Sequence, residues 1–155
     1  MAHSILVVDD DQATITLIGL MLKRQGFVVY EAQSGPEALI FLSHTIPDLV
    51  LLDVMMPAMD GYEVCRRIKA NPQLKHLPVV MLSARFESAS QMEGFRAGAI
   101  DYIAKPISPS DLIAQLQAVF ERSEREPKPN SAVVIAARRC AMPVKQDNGP
   151  IVGAR

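Results

Sequence analysis

Several features that commonly announce a function are scarce or missing. The 155-residue chain has only two cysteines, Cys65 and Cys140, with no CxxC or Cys/His spacing, which excludes a disulfide framework or a zinc site. No apolar run approaches the roughly 18 residues of a membrane span. The opening MAHSILVV lacks the basic segment, long apolar core and small-residue cleavage site of a secretion signal, so a cytoplasmic location without a membrane partner is expected. GxGxxG, GxxxxGK[ST] and HExxH are absent, which removes support for nucleotide and zinc-protease readings. No internal repeat occurs. His3, His44 and His76 have no metal or nucleophile partner at useful spacing and are expected at the surface.

Net charge is also small, −1 overall, but uneven. Residues 1–122 carry 14 acids and 10 bases, the remainder 3 acids and 6 bases, giving −4 and +3. The acidic part is wrong for direct nucleic-acid binding. With 49% hydrophobic and 21% charged residues, the chain reads as one globular domain, residues 1–122, followed by a linker-like, flexible tail over 123–155. The tail opens with SEREPKPNS and is too short for its own core. Its Val133–Ile135 stretch is apolar enough to dock weakly on the domain or on a second copy, with Arg138 and Arg139 near acids.

Short apolar runs alternate with segments of helical period, the signature of an α/β domain with a parallel sheet. The runs start at Ile5, Phe27, Leu49, Pro78 and Tyr102, predicting five strands. Leu17, Ile18, Met21 and Leu22 are assigned one face of the first helix, and Leu112, Ile113, Leu116, Val119 and Phe120 that of the last. Ser34-Gly35-Pro36 is a cap-and-proline entry to the second helix, the third runs from about Gly61 to Asn71-Pro72, and the fourth, Glu87 to Arg96, has the weakest apolar stripe.

Polar residues follow the buried runs. Asp9, Asp10 and Asp11 come after ILVV, Asp53 after LVLL, Ser83 after PVVML and Lys105 after YIA. Parallel strands end on one edge, so these groups converge in the crevice where open α/β sheets bind ligands. The second strand ends in Glu31-Ala32, as suits an edge strand away from that crevice. Clustered carboxylates repel one another unless a cation is present, and an all-oxygen site suits Mg²⁺. Asp53 is then placed to attack phosphorus, with Lys105 and Ser83 contacting the phosphoryl oxygens.

Blander roles compete for some of these residues. Asp11 is assigned to capping, Asp60-Gly61 to the turn that opens the third helix, and Met55, Met56 and Met59 to packing beside the site. Ser83 could be a helix-entry hydrogen bonder, Lys105 a loop charge and Tyr102 a packing residue.

In this order and spacing, VVDDD, LVLLDVMMPAMDGYEV, VVMLSA and AGAIDYIAKP resemble the response-regulator receiver domains of two-component signal transduction, over roughly residues 4 to 122. The resemblance implies the flavodoxin-like strand order 2-1-3-4-5, with helices on both faces of a doubly wound five-stranded sheet. It implies Mg²⁺ held by Asp9, Asp10, Asp53 and the Met55 backbone carbonyl. Asp53 would be the phosphoacceptor, Ser83 and Tyr102 the switch residues, and Lys105 the phosphate-contacting lysine before a cis Pro106. It further implies a histidine kinase or phosphotransfer protein as donor and a downstream protein target. Phosphorylation would alter the surface of the fourth helix, fifth strand and fifth helix, and the domain would act on itself rather than as an enzyme on other substrates. Phosphoryl lifetime in the family depends on positions such as Met55 and Arg85.

Two other functions fit less well. A metal-dependent aspartyl-phosphate phosphatase usually has a second Asp two residues after its nucleophile, where Met55 stands. A receiver from a DNA-binding regulator remains open, although no helix-turn-helix can be found in the tail. That branch of the family often has basic residues in the last helix, and Ser110 and Gln115 stand where two are expected. Their absence favours a single-domain regulator, monomeric or weakly dimeric, acting on a protein.

Overall fold

The structure, a computed structural model, describes residues 2–84, 88–106 and 108–125. Arg85, Glu87, Cys140 and the tail stretch Val133–Ile135 with Arg138 and Arg139 therefore lie outside the described residues. The chain divides into a unit Met1–Phe120 and a unit Glu121–Arg155, of which only residues 121–125 are described.

Strands and helices alternate throughout. They are β1 (Ser4–Val8), α1 (Gln12–Arg24), β2 (Val28–Ala32), α2 (Gly35–Leu42), β3 (Leu49–Asp53), α3 (Gly61–Ala70), β4 (Val79–Ser83), α4 (Ser88–Ala97), β5 (Asp101–Ala104) and α5 (Pro109–Arg125). All four strand pairings are parallel and the order is β2-β1-β3-β4-β5, the predicted flavodoxin-like arrangement. The second apolar run was expected to start its strand at Phe27. The ladder begins one residue later, and the Phe27 ring stacks on Phe120 instead.

Successive side chains of a strand face opposite sides, so each unbroken apolar run feeds two cores. Leu6, Val8, Val50, Leu52, Val79 and Met81 join the layer containing α2 and α3. Ile5, Val7, Leu49, Leu51, Val80 and Leu82 join the layer containing α1 and α5.

Local signals at the helix starts act as expected. Asp11 caps α1 by accepting from the Ala13 amide, Ser34 caps α2 with Pro36 in its first turn, and Asp60 caps α3 by accepting from Glu63 at 2.9 Å. Two expectations need correction. Leu17 is 56% exposed, and the buried face of α1 is Ile15, Ile18, Gly19 and Leu22, spaced i, i+3, i+4, i+7. Leu17 lies about 100° round the helix from Ile18 and joins Leu20, Ile113 and Ala114 in a groove of about 690 Å³. His3 is not a plain surface residue, because its ring stacks on Phe120 with centroids 4.1 Å apart. His44 and His76 are exposed, and Cys65 is buried, as expected.

Candidate functional site

Strand order reverses between β1 and β3, and the register there sets Val8 beside Leu52. Asp9 and Asp53 therefore leave the sheet at the same level, on the edge where such folds bind ligands. Both are nearly inaccessible, at 2% and 4% exposed, whereas Asp10 is exposed. Carboxylate oxygens of Asp9, Asp10 and Asp53 lie within 4.8 Å of one another, the one such acidic group among the described residues. The Asp11 amide donates to Asp9 Oδ1 at 2.9 Å, so the turn that caps α1 also fixes one wall of the site.

Lys105 reaches in from the end of β5. Its Nζ donates to Asp9 Oδ2 at 3.0 Å and to Asp53 Oδ1 at 3.1 Å. Burial works against its charge, but the Asp9 hydrogen bond and the two carboxylates outweigh burial and hold the ammonium above its ordinary pKa. Asp53 moves up to about 6, because burial dominates and Asp9 and Asp10 add repulsion, against the pull of Lys105. The backbone amide of Lys105 donates to Ser83 O at 2.8 Å, and the next peptide bond, Lys105–Pro106, is cis. Ser83 is fully buried at the end of β4. Tyr102 is buried on β5, one strand position before Ile103, in the layer that holds α3.

The segment after β3 forms the remaining wall. Met55 is exposed, Met56 is buried and Met59 half-buried, so the packing assigned to all three fails for Met55. Val54, Met55, Met56, Pro57, Asp60 and Tyr62 line a cavity of about 500 Å³ beside Asp53. The loop turns back through Ala58 at φ 68°, and the Gly61 amide donates to Val54 O at 2.9 Å.

Gly61 has a role that turn chemistry alone did not reveal. A Cβ there would lie 2.4 Å from the Asp53 carbonyl oxygen and 2.9 Å from Val54 Cα. Both are backbone atoms of the strand end and cannot swing away. Gly61→Ala is expected to destabilise the protein by about 1–3 kcal/mol through overpacking. A shift in the urea midpoint would measure it, and an unchanged midpoint would show that the β3–α3 approach is loose.

A profile of the response regulator receiver domain matches residues 5–117. Among curated proteins, the transcriptional regulatory protein AfsQ1 of Streptomyces coelicolor is 44% identical over 123 residues, covering 79% of this chain and 53% of AfsQ1. The phosphate regulon transcriptional regulatory protein PhoB of Rhizobium meliloti is 39% identical, covering 81% and 56%. The chain thus spans about half the length of these relatives. Among solved structures, a response regulator of Chloroflexus aurantiacus superposes with TM-score 0.74 at 38% identity, covering 77% of this chain and 98% of that one. The receiver domain of the Pseudomonas aeruginosa sensor histidine kinase PA1611, solved with a magnesium ion in its active-site cleft, superposes with TM-score 0.71 at 30% identity, covering 76% and 97%.

Proposed function

Since the chain belongs to the response regulator receiver domain family, we propose that Asp53 is its phosphoacceptor, that the donor is a phosphohistidine on a kinase or phosphotransfer protein, and that residues 1–122 form the accepting unit. The observation that carries this reading is the meeting of Asp9, Asp10, Asp53 and Lys105 at one strand edge, with Asp53 on the central strand.

The residues fit a bound Mg²⁺. Their donors are hard carboxylate oxygens within reach of a single ion, and Asp53 is raised toward 6 by burial first and then by the repulsion from Asp9 and Asp10 that a cation would relieve. Asp9, Asp10 and Asp53 would hold it, with the Met55 carbonyl as a fourth ligand. Bound there, the ion supplies positive charge that offsets the incoming phosphoryl group.

The chain's own groups do the rest. A carboxylate oxygen of Asp53 attacks phosphorus in line, the phosphorus–nitrogen bond breaks, and the histidine nitrogen leaves with the bonding pair. Lys105 stays bound through its ammonium and follows the charge onto the phosphoryl oxygens. Ser83 and Tyr102 sit where a hydroxyl and a ring could respond to the product, Ser83 beside the site and Tyr102 toward α4. The chain would thus promote its own phosphorylation and act on no other substrate.

Incubation with acetyl phosphate and Mg²⁺ should add one phosphoryl mass that hydroxylamine removes, as an acyl phosphate requires. Asp10→Ala should lose most of the labelling together with the Mg²⁺-dependent rise in melting temperature. Mg²⁺ stabilisation equal to the parent's in that variant would place the ion elsewhere.

The identity of AfsQ1 and PhoB favours a second context for the same chemistry, a regulator whose DNA contacts lie in another part of a longer protein. Residues 1–122, at net −4, are proposed to make no such contact themselves. Their output would be a protein contact through α4, β5 and α5.

A further inference from the structure

α4 is poorly tied to the sheet. Its described buried residues are the small Gly94 and Ala97, and Met92 and Phe95 point outward at about half exposure. It meets α3 more extensively than it meets β5. Along α3, Tyr62, Cys65, Arg66 and Lys69 recur at i, i+3, i+4 and i+7 and so share one face.

Each of the four engages α4 or its C-terminal turn. The Tyr62 hydroxyl donates to Ser90 O at 3.0 Å, Arg66 reaches Glu93 at 3.4 Å, and Cys65 Sγ donates to Ala97 O at 3.4 Å. The Lys69 stem occupies the space beside Gly98, within 2.6 Å of where a Cβ would stand. Only the first of these lies near the phosphoacceptor. Tyr62 follows Gly61, whose amide is bonded to Val54 O, and Val54 follows Asp53. Tyr62 also lines the cavity beside Asp53 and is 7% exposed.

A short path therefore runs from the Asp53 peptide through Val54 and Gly61 to a hydroxyl that bonds the first turn of α4. The grip is closed while Lys105 bonds directly to Asp53, which is the unphosphorylated arrangement. We propose that the Tyr62–Ser90 hydrogen bond is a latch that restrains α4 in the unphosphorylated protein, and that phosphorylation at Asp53 releases it by displacing the turn 54–61. This coupling rests on the reading of Asp53 as phosphoacceptor. It is distinct from the route through Ser83 and Tyr102, because it runs along α3 rather than across β4 and β5.

A contact equal in both states could shift nothing, so the latch must be stronger before phosphorylation than after. Tyr62→Phe keeps the ring and removes the hydroxyl. In the unphosphorylated variant, hydrogen exchange of α4 amides should rise about fivefold, the effect of one ordinary hydrogen bond, while β1 and β3 amides keep their protection. Because coupling is reciprocal, the variant should bind beryllofluoride, a phosphoryl analogue, more tightly by up to the same factor.

Unchanged α4 exchange would overturn the latch. So would an increase shared equally by α1, α2 and α5, since that reports general loosening. Faster α4 exchange with unchanged beryllofluoride affinity would overturn the coupling to the site. A parent protein that binds no beryllofluoride at all would instead overturn the reading of Asp53, and the exchange comparison would still decide whether Tyr62 holds α4.

Discussion

Asp53→Asn is expected to abolish phosphoryl labelling outright and, in the absence of Mg²⁺, to make the protein more stable. The first effect follows from chemistry, because the amide has no anionic oxygen to attack phosphorus and Asp53 is the acid of this cluster that ends the central strand β3. The second follows from the site's electrostatics. Burial and repulsion from Asp9 and Asp10 raise the Asp53 carboxyl to about 6 from its ordinary 3.8, so the folded state holds this proton more tightly than the unfolded chain does.

A raised carboxylate contributes its full stability below 3.8 and loses it as pH rises through about 6. At neutral pH the folded parent therefore carries a penalty of at most about 3 kcal/mol, since a tenfold change in proton affinity corresponds to about 1.36 kcal/mol. The asparagine carries none, though it bonds Lys105 more weakly. A net gain of about 1–2 kcal/mol is expected at neutral pH, shrinking to nothing in acid. Chemical denaturation of both proteins across that range measures it. Mg²⁺ should reverse the order, stabilising the parent more than the variant. A variant less stable than the parent at neutral pH without Mg²⁺ would show that the Lys105 bond outweighs the crowding.

How much of this could be read beforehand depended on the range of the interaction. Buried parallel strands must be apolar on both faces, so five short runs marked the sheet, and the polar residues after four of them marked the candidate site. Asp9, Asp53, Ser83 and Lys105 were legible in that way because the fold alone brings strand ends together. The clustered carboxylates themselves pointed to Mg²⁺, whereas the Met55 carbonyl ligand and the switch and cis-peptide roles came from the resemblance, not from spacing.

Helix phase was harder. In TITLIGLML nearly every residue is apolar, so the pattern could not distinguish Leu17 from Ile15 as the core residue, and only the packed layer settles it. The His3 stack required α5 to return beside the start of β1. Gly61 looked like any turn glycine, since the strand end it crowds is eight residues earlier in the chain. Tyr62 and Ser90 are 28 residues apart, and no local pattern joins a hydroxyl to a distant backbone carbonyl.

Lys105→Met should separate metal binding from chemistry by moving them in opposite directions. The Lys105 side chain is 26% exposed, whereas the Asp9 and Asp53 side chains it bonds are 3% and 5% exposed. Removing it while keeping a side chain of similar reach leaves two buried carboxylates beside Asp10 with no cation. Breaking a fully buried pair costs about 3–5 kcal/mol, and partial exposure of the lysine brings the expected loss to about 2 kcal/mol at neutral pH without Mg²⁺. That loss should fade in acid, where the carboxylates take up protons.

Mg²⁺ held as proposed would compete with the ammonium for the same oxygens in the parent and would meet no rival in the variant. Its affinity should rise about tenfold, read as a larger metal-dependent increase in melting temperature. Labelling by acetyl phosphate should nonetheless slow by about 100-fold even at saturating Mg²⁺, because the charge that followed the phosphoryl oxygens is gone. Weaker Mg²⁺ binding in Lys105→Met would mean that the lysine helps to organise the metal site rather than competing for it. An unchanged labelling rate would mean that its ammonium only neutralises the resting carboxylates.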